Sequence, residues 1–247
     1  ELALLDLGPY GAVDSVTYYG LASRMIQLFW PLVAGSAGFA APERPPVFLN
    51  YEMAQYLMGR LIKPLLEEGY FEGVVMRPQR ILSQLLDNLN KAAASDFAIA
   101  ELAPRLSQAW VGDESRLRLY EQVQVCIERY RKYCLAQGLL DASLVFEVFN
   151  RHLVAREEFW RYFTERYRHL LVDSVEELVP VAHDLIRRLL PKCDSALLGG
   201  DLGAGFRIFL GADASSAGEL QHLCQETVEV DPTPSVNPHL LAFAERV

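Results

Sequence analysis

The stretch that most constrains the fold is residues 167–213. Along it, the spacing of apolar residues is first that of a strand, then that of a helix, and then again that of a strand. The first apolar run, 170–172, stops at Asp173, and the second, 196–198, is followed by two glycines and Asp201. Between the runs, apolar residues recur every three or four positions, which is the spacing of an amphipathic helix. The order predicts two parallel strands, with acidic residues at the carboxyl ends, where open α/β sheets bind ligands.

Two motifs in this stretch are similar to motifs of superfamily 1 DNA helicases of the UvrD/Rep type. VDSVEELVP resembles the family's VDExQDxxP motif, and GGDLGAGFRIFLGAD resembles VGDxxQSIYxFRGAD in the same register. The resemblance implies an α/β fold with a RecA-like, P-loop NTPase-type parallel sheet and a large inserted all-α subdomain. It also implies that Asp173 and Asp201 are the remnant of a nucleotide and magnesium site.

The residues that carry the family's chemistry are replaced at most matched positions. The catalytic glutamate is Ser174 here, and the glutamine that follows it is Glu176. The glutamine that senses the γ-phosphate is Ala204, and the arginine before Gly-Ala is Leu210. The arginine of the family's LxxNYRS motif, which reaches the γ-phosphate, falls at Ser235. The resemblance therefore implies the family's framework without its catalytic residues.

The sequence also has no GxxxxGK[ST] motif, so none of its segments can hold phosphates in the P-loop manner. In the family that loop lies upstream of the matched segments, and a chain that starts at Glu1 rather than Met is expected to be a piece of a longer protein. Losing a general base costs roughly 10²–10⁴ in rate, and losing a phosphate-contacting arginine roughly 10³–10⁵. We therefore expect no cofactor for this chain, and ATP with magnesium only if it belongs to an active helicase.

Two other segments contain candidate contacts with DNA. VTYYGLASRM resembles the family's VxTFHSxAxRL segment, where threonine and histidine lie along single-stranded DNA; Thr17 is retained and Tyr19 replaces the histidine. Tyr18 and Tyr19 can stack on bases, but both can equally pack between sheet and helix. Arg161 lies among arginines interleaved with aromatic residues, as on nucleic-acid surfaces. Glutamates share that segment, however, and aromatic residues at helical spacing usually belong to a core.

The remaining periodicity predicts the domain organisation. Residues 12–16 and 227–230 have the pattern of further strands in the parallel sheet, whereas residues 50–150 have an almost wholly helical period. A long helical stretch between two α/β stretches predicts an inserted subdomain. We therefore expect a motor domain made of residues 1–49 and 151–247, without its P-loop part, and a helical subdomain between them.

Composition excludes several classes of protein and leaves others open. The hydrophobic content of 51% predicts a packed core, and the net charge of −9 argues against a chain that coats nucleic acid indiscriminately. Four scattered cysteines without CxxC spacing are typical of reduced thiols in a cytoplasmic protein. No apolar run reaches the ~20 residues of a membrane span, so no membrane contact is expected. The five histidines show no paired spacing, so no metal site is expected.

Three functions remain open from the sequence. The favoured one is a helicase-like module without ATPase activity that serves as a scaffold in DNA repair or recombination, with single-stranded DNA and a nuclease or helicase subunit as partners. The second is part of an active ATP-dependent helicase whose P-loop and second motor domain lie outside this chain. The third is a helical protein-interaction module unrelated to DNA.

Overall fold

The computed structural model describes residues 13–113, 115–201 and 205–230. Of these residues 63% are helical, and their strands form two short parallel pairs. The helices of the described ranges are α1 (Tyr18–Val33), α2 (Tyr51–Glu67), α3 (Pro78–Ala94), α4 (Leu102–Ala109), α5 (Ser115–Gln137), α6 (Ala142–Glu147), α7 (Glu157–Arg166), α8 (Pro180–Leu189) and α9 (Ala214–Gln221). The strands are β1 (Val47–Phe48), β2 (Leu139–Leu140), β3 (His169–Val172) and β4 (Ser195–Leu198).

A single cluster of buried apolar side chains connects most of these helices. Helix α1 packs against α6 and against the π-helical turn Val148–Leu153 that continues it, while α3 packs against α6 and α2 against α5. Each large apolar side chain buried in such a core contributes about 1.5–3 kcal/mol. The largest fully buried side chains are Tyr130, Phe149, Phe159, Met25, Ile26, Met58, Ile62, Leu85, Leu86, Leu89, Ile127 and Leu140.

Helix boundaries follow from capping residues. The side chain of Asn50 accepts a hydrogen bond from the Met53 backbone N–H at 2.8 Å and caps the start of α2. Asp141 caps α6 in the same way, by accepting from the Leu144 N–H at 2.9 Å. Helix α5 ends before Gly138, whose φ of +69° is accessible to glycine at little cost. No helix in the described ranges is long and apolar enough to cross a membrane.

Strands β3 and β4 are parallel and joined through α8, which confirms the predicted strand–helix–strand order. His169 pairs with Ser195, and Val172 pairs with Leu198. Two further backbone hydrogen bonds continue the ladder, because Gly199 N donates to the Val172 carbonyl at 2.8 Å and the Val175 N–H donates to the Gly199 carbonyl at 3.1 Å. Helix α8 packs this unit onto the helical core through Leu185 and Leu189.

The predicted RecA-like, P-loop NTPase-type parallel sheet with an inserted all-α subdomain is wrong. Residues 13–16 and 227–230 form no strand, and their valines are exposed; Ala12 lies outside the described residues. An apolar run becomes a strand only when a neighbouring strand takes its N–H and C=O groups, and no such neighbour lies beside these runs in the described structure. Strand β2 also lies inside the stretch predicted to be purely helical, where it pairs with β1. The domain boundaries at residues 49/50 and 150/151 stay a prediction.

Candidate nucleic-acid interface

Thr17 has a structural role at the start of α1. Its side-chain hydroxyl oxygen accepts a hydrogen bond from the Gly20 backbone N–H at 3.1 Å, which satisfies one of the N–H groups that the first helical turn leaves unpaired. The fold therefore accounts for a threonine at this position.

Tyr18 packs into the protein. Its hydroxyl donates to Asn150 Oδ1 at 2.5 Å, and its ring centroid lies 5.3 Å from that of Phe146 and 5.9 Å from that of Phe149. Burial raises the pKa of the hydroxyl above its ordinary value, and the nearby negative charge of Asp184 acts in the same direction. Tyr18 therefore packs against α6 and the π-helical turn after it, and not between sheet and helix.

Tyr19 lies at the wall of an open cleft of about 480 Å³, a volume in the range of small-ligand sites. The cleft is formed where the start of α1 meets β1, the first turn of α2, the middle of α3 and the start of α6. Residues from these five elements line it: Tyr19, Phe48, Leu49, Asn50, Tyr51, Ala54, Leu86, Asn90, Asp141 and Ala142.

The cleft is aromatic and carries amide groups. Tyr19, Phe48 and Tyr51 are its aromatic lining residues, and the Tyr51 side chain is exposed, whereas the Tyr19 ring also packs edge-on against Phe146 with centroids 6.3 Å apart. The Asn50 side-chain oxygen is already used to cap α2. Within the described structure, the Asn90 amide makes no hydrogen bond, so its donors and acceptor remain for a ligand. An aromatic, amide-bearing cleft of this kind suits a planar polar ring better than a phosphate.

The carboxylate of Asp141, which lines the cleft, has one oxygen in hydrogen bonds of the fold, whereas its Oδ2 is buried without a hydrogen-bond partner among the described residues. Asp141 is buried, and its Oδ1 accepts from the Leu144 N–H and from the Ser143 hydroxyl at 2.8 Å. The Ser143 hydroxyl oxygen in turn accepts from Arg131 Nη2 at 3.0 Å, and Glu147 lies 3.4 Å from the same nitrogen. One buried guanidinium therefore serves two carboxylates: Arg131 pairs with Glu147 and reaches Asp141 only through the Ser143 hydroxyl.

Arg161 is exposed on α7 and has no ion-pair partner among the described residues. The next residue, Tyr162, packs edge-on against Phe29 of α1, with ring centroids 5.4 Å apart. Phe29 is ten residues beyond Tyr19, which is about 15 Å along a helix at 1.5 Å per residue. A phosphate at Arg161 and a base beside Tyr19 would therefore belong to different nucleotides.

Three other arginines of the same segment are paired with carboxylates, whereas Arg156 is exposed and has no ion pair among the described residues. Arg151 pairs with Asp96 at 2.7 Å, Arg166 pairs with Asp14 at 3.8 Å, and Arg168 pairs with Asp194. These ion pairs leave a smaller positive surface than the run of arginines in the sequence indicates.

Asp173 and Asp201 follow adjacent parallel strands, β3 and β4, while their role as the remnant of a nucleotide site stays a prediction. A Cβ built on Gly199 would stand 3.9 Å from the Asp173 carboxylate. The Asp201 backbone N–H donates to Glu176 Oε2 at 3.1 Å, and the Glu176 side chain is buried. Ser174 adopts a left-handed conformation with φ of +54°, which turns the chain away from the strand. Glu176 therefore holds the end of β4 against the turn that follows β3.

Glu177 also ties backbone segments together. It accepts from the Phe206 N–H at 3.1 Å and forms an ion pair with Arg207 at 3.0 Å. No group of three potential metal ligands exists among the described residues. Leu210 is exposed and brings no positive charge, and Ala204 and Ser235 lie outside the described residues. In the described part of this edge of the strand pair, Glu176 and Glu177 therefore hold backbone segments together.

His183 contacts the acidic turn from α8. Its buried ring has Nε2 2.8 Å from the Val175 carbonyl and Nδ1 3.1 Å from the Ser216 hydroxyl. Burial lowers the pKa of this imidazole below its ordinary value, because the charged form is poorly solvated there. The neutral ring therefore links the acidic turn to α8 and α9.

Sequence reasoning missed three residues of the cleft, namely Phe48, Tyr51 and Asn90. Asn50 is of a residue type that caps helices, and a cap there places Tyr51 in the exposed first turn of α2. Nothing in the sequence relates residues 19, 48, 51 and 90, because only tertiary packing brings them together. A comparison with protein families and with curated proteins finds no match for this sequence.

Proposed function

We propose that the chain is a DNA-binding scaffold without ATPase activity that holds unpaired bases of single-stranded DNA in the cleft beside Tyr19. The observation that supports this proposal most is the composition of the cleft: three aromatic side chains and a free amide surround about 480 Å³ of open space. Aromatic side chains stack on any base, at about 1–3 kcal/mol per base. The Asn90 amide can hydrogen-bond to a base edge in addition.

The shape of the site favours a single strand over a duplex. Bases in a duplex are stacked and paired, so a protein must extrude a base before it can enter a pocket, at a cost of a few kcal/mol. A single strand presents its bases without that cost. We therefore propose unpaired DNA as the ligand.

The charge distribution sets the expected strength of binding. Most arginines near the start of β3 are paired with carboxylates, and the whole chain has a net charge of −9. Arg156 and Arg161, which are exposed and have no ion pair among the described residues, remain for contact with phosphates. For a single strand, each phosphate contact adds about 0.7 to the slope with which the logarithm of the binding constant falls against the logarithm of the salt concentration. The proposal is therefore a site of modest affinity in which stacking contributes more than charge.

The arrangement of the acidic turn supports the absence of ATPase activity. Glu176 and Glu177 are both engaged with backbone or arginine groups, and the sequence has no P-loop. In this proposal the chain acts in the cytoplasm, in DNA repair or recombination, and a nuclease or helicase subunit supplies the catalytic step. Its role is to position the strand for that partner.

The test is fluorescence anisotropy with a labelled 15-nucleotide single strand and with the matched duplex. Tyr19→Ala should weaken single-strand binding about 5- to 150-fold, since it removes one stacking platform. Tyr56→Ala is the matched control, because Tyr56 is an exposed tyrosine of α2 outside the cleft. Equal affinity for duplex and single strand, or equal losses in both variants, would contradict the proposal.

A further inference from the structure

One carboxylate oxygen in the lining of the Tyr19 cleft has no hydrogen-bond partner. Asp141 lines the cleft and is 2% exposed. Its Oδ1 accepts from the Leu144 N–H and the Ser143 hydroxyl, whereas its Oδ2 is buried and accepts from no group of the described structure. Buried acceptors in proteins are nearly always paired, because an unpaired one loses its hydration without compensation. A ligand that brings a donor to this oxygen therefore gains binding free energy.

The donors of the fold next to Asp141 leave this oxygen unpaired. Burial, and after it the negative charge of Asp141, raises the pKa of the Tyr130 phenol, so the two side chains are neighbours. The Tyr130 hydroxyl nevertheless makes no hydrogen bond within the described residues. Arg131 is shared with Glu147, so one positive charge stands against two carboxylates. The excess of negative charge beneath the cleft favours a ligand edge that carries N–H donors.

Pyrimidine bases differ in the group that they present at C4. Cytosine has an amine there, which is a donor, whereas thymine and uracil have a carbonyl, which is an acceptor. Carboxylates accept from the cytosine amine in base recognition by proteins. Uracil can donate only from its ring N3–H, which lies between two carbonyl oxygens that the carboxylate repels. The Asn90 amide, which lines the same cleft, can donate to the ring nitrogen or the carbonyl of cytosine.

We propose that Asp141 makes the cleft selective for cytosine over thymine and uracil among unpaired pyrimidines. This inference rests on the proposed function, because it specifies which base enters the cleft beside Tyr19. The aromatic side chains of the cleft can stack on any base. Asp141 adds a hydrogen bond that a C4 amine completes and a C4 carbonyl does not.

The first experiment compares ligands on the parent protein, so the folding of a variant cannot affect it. Fluorescence anisotropy measures the affinity for labelled 15-nucleotide strands of dC and of dU, which carry the same charge. The dC strand should bind about 5- to 150-fold more tightly. A strand of 2-pyrimidinone nucleotides, which lack the amine, should bind more weakly than the dC strand.

The second experiment repeats the comparison with Asp141→Asn. The amide oxygen of this variant has to face the Leu144 N–H to cap α6, which places the NH₂ group where Oδ2 lies in the parent protein. An acceptor thus becomes a donor, and the preference for dC over dU should disappear or reverse. The matched control is Asp213→Asn, because Asp213 caps α9 by accepting from the Ser216 N–H and lies outside the cleft. It should keep the preference of the parent protein.

The outcomes separate this selectivity from the proposed function. Equal affinity of the parent protein for dC and dU, or an unchanged preference in a folded Asp141→Asn variant, would overturn the selectivity. If Tyr19→Ala then still weakens the binding of both strands, the proposed function stands without it. If Tyr19→Ala leaves both affinities unchanged, or neither strand binds the parent protein, the proposed function fails and the selectivity fails with it.

Discussion

At the scale of single residues, Thr17, Tyr18 and Tyr19 are consecutive and have three different environments. The first caps α1, the second is partly buried against Phe146 and Phe149, and the third lines the cleft. Successive helical residues point about 100° apart, so neighbours in sequence face different parts of the protein. A local sequence motif can therefore identify the segment, but the packing around it determines which side chain meets a ligand.

His183 leads to a prediction about pH. Its neutral ring donates from Nε2 to the Val175 carbonyl and accepts at Nδ1 from Ser216, since a carbonyl can only accept. Because folding lowers the pKa of this imidazole, the stability that it contributes is complete above pH ~6.5 and is lost as the pH falls toward the folded-state pKa. Denaturant melts should show stability decreasing from pH 7 to pH 5.

The variant His183→Gln should have a smaller decrease over the same pH range, because its side chain does not titrate. Part of the decrease should remain, since burial also lowers the pKa of His152. The exposed His222 provides the control, and His222→Gln should keep the slope of the parent protein. An unchanged slope in His183→Gln would mean that the buried ring does not control this pH dependence.

At the scale of elements, the strand pair β3–β4 was predictable and the other proposed strands were not. The period changes from strand to helix and back within residues 167–213, which is local information that a single sequence contains. Residues 13–16 and 227–230 have similar apolar patterns, but the described fold places no strand beside them. Pairing depends on distant segments, so the same pattern gave a correct prediction in one place and a wrong one in the others.

The turn after β4 gives a second prediction. A Cβ on Gly200 would stand 2.6 Å from Val175 Cγ2 and 2.8 Å from Glu176 Oε2, closer than side-chain atoms normally approach. Gly200→Ala should therefore destabilise the protein by about 1–3 kcal/mol. Gly199→Ala is the control, because its nearest neighbour would be 3.7 Å away. Denaturant melts that rank the two variants equally would show that the acidic turn does not close on β4 in this way.

At the scale of the whole molecule, the sequence predicted a helical stretch and a packed core. The position of the cleft became known only from the structure. Tyr19, Tyr51 and Asn90 come from three helices, and no spacing in the sequence relates them. For the acidic residues after β3 and β4, the sequence identified the residues but not their role. Its residues were found from the sequence, and the structure shows that Glu176 and Glu177 hold the backbone together.

The arrangement of the acidic turn predicts that the chain neither binds ATP tightly nor hydrolyses it. Phosphoryl transfer needs a phosphate cradle, a magnesium site, a group that orients water and a positive charge on the transferred phosphate. Calorimetric titration with ATP and magnesium should give no heat of binding, and phosphate release should stay at background with or without single-stranded DNA. Micromolar affinity, or turnover that Asp173→Asn abolishes, would show an active nucleotide site.

Photo-crosslinking tests the central claim most directly, because it locates the base on the protein. A single strand with one 5-iododeoxyuridine should crosslink under ultraviolet light, and peptide mapping by mass spectrometry should place the adduct on Tyr19, Phe48 or Tyr51, the aromatic side chains of the cleft. The matched duplex should give much less product. Adducts confined to residues outside the cleft, or equal yields from duplex and single strand, would contradict the proposed function.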